Sequence, residues 1–195
     1  QAMWAPTLAV LSVVTMLVGN ITALRQTDVK RILAYSSIGQ VGYMLIGLAV
    51  GSELGLMGTF LQFFNHALMK GSAFLCVGAI IYRLGSRDLG DMQGVGRKMP
   101  LTAFALAISV AALIGLPPLA GFPGGLTLFV AAVQDGLTWL GVALLLNSVI
   151  SAGFYLRIIY TLIQPVSSPK AEAVTEAPLL MLIPLIALTV LIVLF

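Results

Sequence analysis

The sequence predicts an all-α integral membrane fold with about six transmembrane helices, the fourth of them discontinuous, and three features lead to it. Of 195 residues, 59% are hydrophobic and 9% charged, against roughly 45–50% and 25% in a soluble domain. Mean hydropathy is +1.07, more apolar character than one water-facing surface can hide. The apolar residues gather in runs of bilayer length, about 20 residues for a hydrocarbon core of about 30 Å. These runs lack the period-two alternation of barrel strands and are rich in Leu, Ala, Gly and Met, so they read as helices.

The first run covers 4–24. The opening residues Gln1-Ala2-Met3-Trp4 show neither a basic region nor a small-residue cleavage site, so a signal peptide is not expected in this run. The second covers 32–50, with Asp28 as its expected cap and Thr27 as the alternative. The third covers 56–82 and carries a His and a Lys inside its apolar stretch. The fourth, 101–133, would make about 50 Å of continuous helix, well beyond what a bilayer needs. Its middle, residues 115–125, holds three prolines and four glycines (Pro117, Pro118 and Pro123 with Gly115, Gly121, Gly124 and Gly125). Prolines remove backbone donors and glycines weaken a helix, so two half-helices joined by an extended stretch are expected. Irregular backbone at membrane depth is tolerated where protein or a water-filled cavity surrounds it, and broken helices often line ion paths. Two ordinary segments with a surface loop are the other possibility, weakened by the shortness of 126–133 as a span. The fifth run covers 137–163 and the sixth 177–195. The connectors 83–99 and 164–176, with their Gly, Ser, Pro and charges, read as aqueous loops.

Net charge is +3. The basic residues sit in short gaps (Arg25, Lys30 and Arg31; Arg83, Arg87, Arg97 and Lys98; Lys170) and form no patch with interleaved aromatics, which excludes a nucleic-acid partner. If the fourth run crosses once, all three gaps fall on one side, as the positive-inside rule requires. A single cysteine, Cys76, lies in an apolar run and excludes an intrachain disulfide. With one His and one Cys, no multi-ligand metal or haem site is expected, so neither a cofactor nor redox catalysis is assigned to this chain.

Ionisable groups inside an apolar run cost several kcal/mol unless paired or hydrated, so they are the first candidates for chemistry. Lys70 lies too deep for easy snorkelling; His66 is one turn away on the same face, Gln62 one turn beyond, and Asn65 beside them. A Gln62–His66–Lys70 ladder can hold water and pass a proton; the structural alternative is a cation paired with a carboxylate from another subunit. Lys30, at the start of the second run, reads by position as a surface anchor. Asp135, after the broken segment, either exchanges protons at the far mouth or caps the next helix. Arg157 reads as snorkelling to the basic side.

Three stretches together resemble the antiporter-like subunits of respiratory complex I and its relatives, the Mrp cation/proton antiporters and the membrane-bound hydrogenases. They are TDVKRILAYSSIGQVGY at 27–43, NHALMK at 65–70 and GLPPLAGF at 115–122. The resemblance covers nearly the whole chain and matches the second half of that fold. It implies two inverted five-helix repeats, of which residues 1–164 form the second, followed by a loop at 165–176 and a C-terminal transmembrane helix at 177–195. It further implies that Lys30, Lys70 and His66 belong to a buried polar axis. One position departs: after Gly-Phe-x-Gly the family usually has Lys or Glu, and here stands Gly125. The function implied is proton translocation within a complex I-like assembly, in an energy-converting membrane of a bacterium, archaeon or organelle. The partners implied are other integral membrane subunits, lipid, and protons or Na⁺. A subunit of an Mrp-type Na⁺/H⁺ antiporter is the alternative, and a non-conducting scaffold of a membrane arm is the third reading.

Overall fold

The computed structural model describes residues 3–166 and 169–195. The expectations that touch Gln1, Ala2, Ser167 and Ser168 lie outside the described residues. Helix dominates, and among the described residues there is no β-strand, only an isolated antiparallel bridge between Asp28 and Asp88.

Helix α1 (Ala5–Leu24) opens with a proline in its first turn, where the missing N–H has no helical partner to lose. Helix α2 (Val29–Val50) is capped by Asp28, whose Oδ1 accepts from Arg31 N at 3.1 Å, and stops at Gly51 with φ 72°. Helix α3 (Glu53–Leu84) is capped by Ser52, with Glu53 in its first turn and Arg83 in its last, both favourable to the helix dipole. The remaining elements are a 3₁₀ turn at Val95–Arg97, α4 (Pro100–Ile114), α5 (Gly121–Gln134), α6 (Thr138–Ile163), a single turn α7 (Pro169–Glu172) and α8 (Leu179–Leu194). Helices α1, α2, α3 and α6 are long and apolar enough to cross a membrane; α4, α5 and α8 are shorter apolar helices of 15, 14 and 16 residues.

The break in the fourth run is shorter than its composition suggests. It covers 115–120, and Gly121, Pro123 and Gly125 lie inside the first turns of α5 rather than in an extended stretch. The first four N–H groups of a helix have no intrahelical acceptor, so a proline there costs nothing in the ladder. Gly115 closes α4 at φ 90°, a conformation that side chains rarely adopt. Pro117 and Pro118, joined by a cis peptide bond, occupy the break itself. The start of α4 lies against the end of α6 (Pro100, Ala103 and Phe104 beside Ile159, Leu162 and Ile163). Past α5, Leu137 and Trp139 lie against Ala5, Pro6 and Ala9 at the start of α1. The two half-helices together therefore run from one end of the bundle to the other.

Helices α1 and α2 touch through small residues. A Cβ on Gly19 would lie 2.5 Å from Gly39 N, and one on Gly42 would lie 2.8 Å from Ser12 O, so the backbones meet directly. One apolar core joins α2, α3, α4, α6 and α8, with Met69, Ala73, Cys76, Ile80, Leu106, Phe154 and Ile158 inside it. A second joins α1, α2, α5 and α6 around Met16, Tyr43, Leu128 and Leu140.

Both connectors expected to be aqueous loops expose their charged residues, Arg87, Asp88, Asp91, Arg97 and Lys98 in the first and Lys170 and Glu172 in the second, and also pack apolar residues inward. Leu89, Met92, Val95 and Met99 are buried in the first core. Val29 N donates to Arg87 O at 3.0 Å, Leu89 N to Thr27 O at 2.9 Å and Gly94 N to Thr161 O at 3.0 Å, which ties this segment across the ends of α1, α2 and α6. In the later connector Ala171, Val174 and Ala177 are buried. Glu176 holds the start of α4, accepting from Leu101 N at 2.9 Å and Thr102 Oγ1 at 2.6 Å, while its carbonyl accepts from Arg83 Nη2 at 2.7 Å.

Candidate functional site

Lys70 is 6% exposed on α3 and directs its ammonium between α2 and α6. Its Nζ donates to Leu33 O at 3.0 Å, to Tyr155 OH at 3.2 Å and to Ser36 Oγ. The Tyr155 ring centroid is 5.5 Å away, adding a cation–π contact. Three donors meet three neutral oxygens, which satisfies the amine. No ion pair is found among the described residues, so Lys70 has no carboxylate partner within them. Helix periodicity builds this corner. Ser36, Gln40 and Tyr43 follow i, i+4, i+7 on α2, and Asn147, Ser151 and Tyr155 follow i, i+4, i+8 on α6.

The expected Gln62–His66–Lys70 ladder forms no hydrogen bond along its length. Four-residue steps overshoot a turn of about 3.6 residues, so the side chains fan out around α3. The buried stripe instead runs through Gly58, Gln62, Asn65, Met69, Ser72 and Cys76 and leaves His66 half-buried at its edge. Gln62 Nε2 donates to Gln40 Oε1 at 2.7 Å, and Gln40 Nε2 donates onward to Leu113 O at 3.2 Å. Asn65 Nδ2 donates to Ala120 O at 2.5 Å. Ala120 N in turn donates to Ile192 O on α8 at 3.1 Å. Side chains of α2 and α3 thus hold carbonyls on either side of the helix break, which answers where its freed backbone groups go. Gln62 Oε1, Asn65 Oδ1 and His66 Nδ1 are buried without a protein partner.

The break approaches α3 closely. A Cβ on Gly124 would lie 2.3 Å from Gln62 Oε1, whereas one on Gly125 would meet nothing within 4 Å. Gly125 borders a cavity of about 280 Å³ with Gly115, Gly121, Phe122, Leu144 and Ser148 in its wall. Ser148 Oγ lies 3.1 Å from Tyr43 OH.

Lys30 is half-buried in the first turn of α2, and its side chain makes no hydrogen bond or ion pair among the described residues. It stands one turn before Leu33, whose carbonyl receives Lys70. Asp135 is exposed at the end of α5; α6 begins at Thr138 without a side-chain cap, so the capping role expected as its alternative is absent. Arg157 reaches the basic side of the bundle: Nη1 donates to Leu24 O at 3.2 Å and Nη2 to Gln26 O, so its charge sits on the C-terminal end of α1, where the helix dipole favours a cation. Cys76 is free and fully buried. Among the described residues no three His, Cys, Asp or Glu side chains gather closely enough to hold a metal ion.

Sequence reasoning missed Ser36, Gln40, Tyr43, Ser148, Ser151 and Tyr155, and the buried pair in which Asn20 Nδ2 donates to Asn147 Oδ1 at 3.3 Å. The signal was present as polar residues repeating at three and four within apolar runs of α2 and α6.

A family model described as NADH:quinone oxidoreductase/Mrp antiporter, TM, matches residues 1–151. F(420)H(2) dehydrogenase subunit N of Methanosarcina mazei is 39% identical over 168 residues, covering 82% of this chain and 34% of that one. NADH-quinone oxidoreductase subunit N 2 of Chloroherpeton thalassium is 43% identical over 157 residues, covering 80% and 31%. Among solved structures, a chain of the membrane-bound sulfane sulfur reductase, an archaeal respiratory membrane complex, matches with a TM-score of 0.92 at 36% identity, covering 97% of this chain and 32% of that one. The chain therefore spans about a third of the length of these relatives. With a family model covering most of its length and the same fold in a solved respiratory complex, the chain is an integral membrane protein and belongs to the NADH:quinone oxidoreductase/Mrp antiporter transmembrane family.

Proposed function

We propose that this chain forms the second five-helix repeat, at 1–164, and the following helix of a proton-translocating subunit in a complex I-like membrane assembly. In this reading α4 and α5 make one broken crossing, and with α1, α2, α3, α6 and α8 the chain crosses the bilayer six times. The observation that carries it is Lys70: an amine held at mid-helix depth by three neutral oxygens and no carboxylate. A carboxylate would lock the charge in place, whereas hydroxyls can accept from an ammonium and donate to a free amine. Lys70 is thus free to load and unload a proton. The unpartnered polar atoms of Gln62, Asn65 and His66 offer hydrogen bonds to water beside the helix break, which supports a hydrated path through this part of the bundle. His66 and Gln62 relay through that water. Lys30 couples Lys70 to the polar element on the basic side, and Asp135 marks the opposite mouth. The driving event, electron transfer in another subunit, lies outside these residues, as do the other membrane subunits that complete the path.

Lys70→Met in the assembled complex tests this, with the driving reaction and proton translocation measured separately in proteoliposomes. The expected result is retained assembly and driving reaction with translocation lost. Normal translocation would refute the proposal. The family description equally names Mrp antiporters, so a Na⁺/H⁺ exchanger subunit is the second reading. Translocation that follows an imposed Na⁺ gradient without electron transfer would favour it. The scaffold reading rests on Gly125, which removes a charge from the cavity wall.

A further inference from the structure

We infer that the groove between α4 and α6 at the basic end of the bundle holds an anionic phospholipid, with one acyl chain lying in the groove and the phosphate at Arg97 and Lys98. The inference rests on the membrane residence of the chain and is independent of the role of Lys70. Pro100, Ala103, Phe104 and Ala107 recur at i, i+3, i+4 and i+7 and so share one face of α4, while Ile159 and Ile163 of α6 stand opposite. Ala103 and Ala107 make that face concave; Phe104 and Ile163, 65% and 60% exposed, stand proud at its edges. The space is about 300 Å³ and follows two turns of helix, about 10 Å. Its section is therefore about 30 Å², which suits a single hydrocarbon chain and is too narrow for a helix of about 10–12 Å diameter.

The head of the groove suits a negative charge. Gly96 lies against the end of α6, where a Cβ would be 2.7 Å from Leu162 O, and this close approach places Arg97 at the groove. Arg97 Nε donates to Ile163 O at 3.3 Å, which fixes the guanidinium and leaves Nη1 and Nη2 without a partner among the described residues. Lys98 beside it is exposed, and its side chain is equally unpaired among the described residues. No acid lines the groove among the described residues. Glu176, at the start of α4, is held by the buried Thr102, which lies on another face of that helix. Tyr82 and Tyr160, 64% and 61% exposed, mark this end as the headgroup level, where rings with a polar tip collect. A phosphate diester at that depth meets two cations while its chain continues into the apolar groove, the arrangement by which basic pockets between helices select anionic head groups. A helix of another subunit would have to bring carboxylates to the same two side chains, and a choline lipid carries its own cation, which opposes them.

The test uses the assembled complex in phosphatidylcholine vesicles doped with a trace of phosphatidylglycerol or phosphatidylcholine that carries a photoactivatable diazirine on one acyl chain. Labelled peptides are then mapped by mass spectrometry. The expected result is that the phosphatidylglycerol probe labels residues 100–107 and 159–163 about 10-fold more than the phosphatidylcholine probe. Replacing both cations, Arg97→Gln with Lys98→Gln, brings the two probes to roughly equal labelling there. Ala107→Phe fills the groove and lowers labelling by the phosphatidylglycerol probe at these residues, with labelling elsewhere on the complex unchanged. Equal labelling of the wild-type groove by the two probes would overturn the inference and leave an ordinary lipid-facing surface. Absence of labelling by either would overturn it in favour of a helix from another subunit seated on this face. A preference that survives the loss of both cations would overturn it as well. Should Ala107→Phe fail to assemble, the charge variant decides alone, since both of its side chains are exposed.

Discussion

Gly121→Ala is a one-carbon change whose cost can be worked from the geometry. The added Cβ would lie 1.8 Å from Ala112 O, 2.9 Å from Ala112 C and 3.2 Å from Met69 Sδ. Contacts under 3.0 Å to backbone essentially do not occur, so α5 must retreat from α4 by more than about 1 Å. Neither side can yield locally. Ala112 is helical backbone, and Ala120, adjacent to Gly121, is held by Asn65 and Ile192. Overpacking of this kind costs about 1–3 kcal/mol. At about 2 kcal/mol the thermal midpoint falls by about 4–8 °C. Cys76 supplies the assay: it is the sequence's one cysteine and fully buried, so a thiol-reactive fluorophore reports its exposure as the purified protein is heated. Gly125→Ala is the control, one turn along the same helix, where a Cβ meets nothing within 4 Å and the gain in helix propensity is up to about 1 kcal/mol. Its midpoint should stay level or rise. An unchanged midpoint for Gly121→Ala, or equal losses for the two variants, would refute the reading of the break as a close-packed junction.

Two further outcomes can be checked on the same protein. Asn65→Leu leaves the Ala120 carbonyl buried without its side-chain donor, and the thiol assay should show a loss of about 1–3 kcal/mol. Glu176→Ala removes the acceptor for Leu101 N and Thr102 Oγ1, and amide hydrogen exchange should accelerate in the first turn of α4 while α3 stays protected.

What was legible in the sequence is what local chemistry determines. Asp28 caps α2 because a short acceptor precedes an apolar run, and the fourth run breaks because prolines cannot supply donors. Lys70 announced itself as a charge without an aqueous neighbour. Its ligands were harder to find, since Ser36 and Tyr155 lie 34 and 85 residues away and meet it only through the packing of three helices. Gly121, Pro123 and Gly125 were expected in extended chain because their average propensity opposes helix; the first turn exempts them from that average. The connector at 83–99 was read as solvated from its charges, yet Leu89, Met92, Val95 and Met99 recur at steps of three and four, the pattern of a buried face. His66 drew notice as the lone histidine, while Asn65 beside it holds the break.

The two ends of the bundle are stitched unequally. At the basic end, residues 83–99 and 169–178 lie across the helix termini, with backbone bonds from Val29, Leu89 and Gly94 and the Arg83–Glu176 clasp crossing between segments. At the opposite end, α2 joins α3 through Gly51 and Ser52 alone, and α5 joins α6 through residues 135–137. Splaying the helices apart breaks few bonds at that second end and many at the first. The connectors therefore add their cross-links at the basic end, while the end where Asp135 is exposed relies on the packing of the helices themselves.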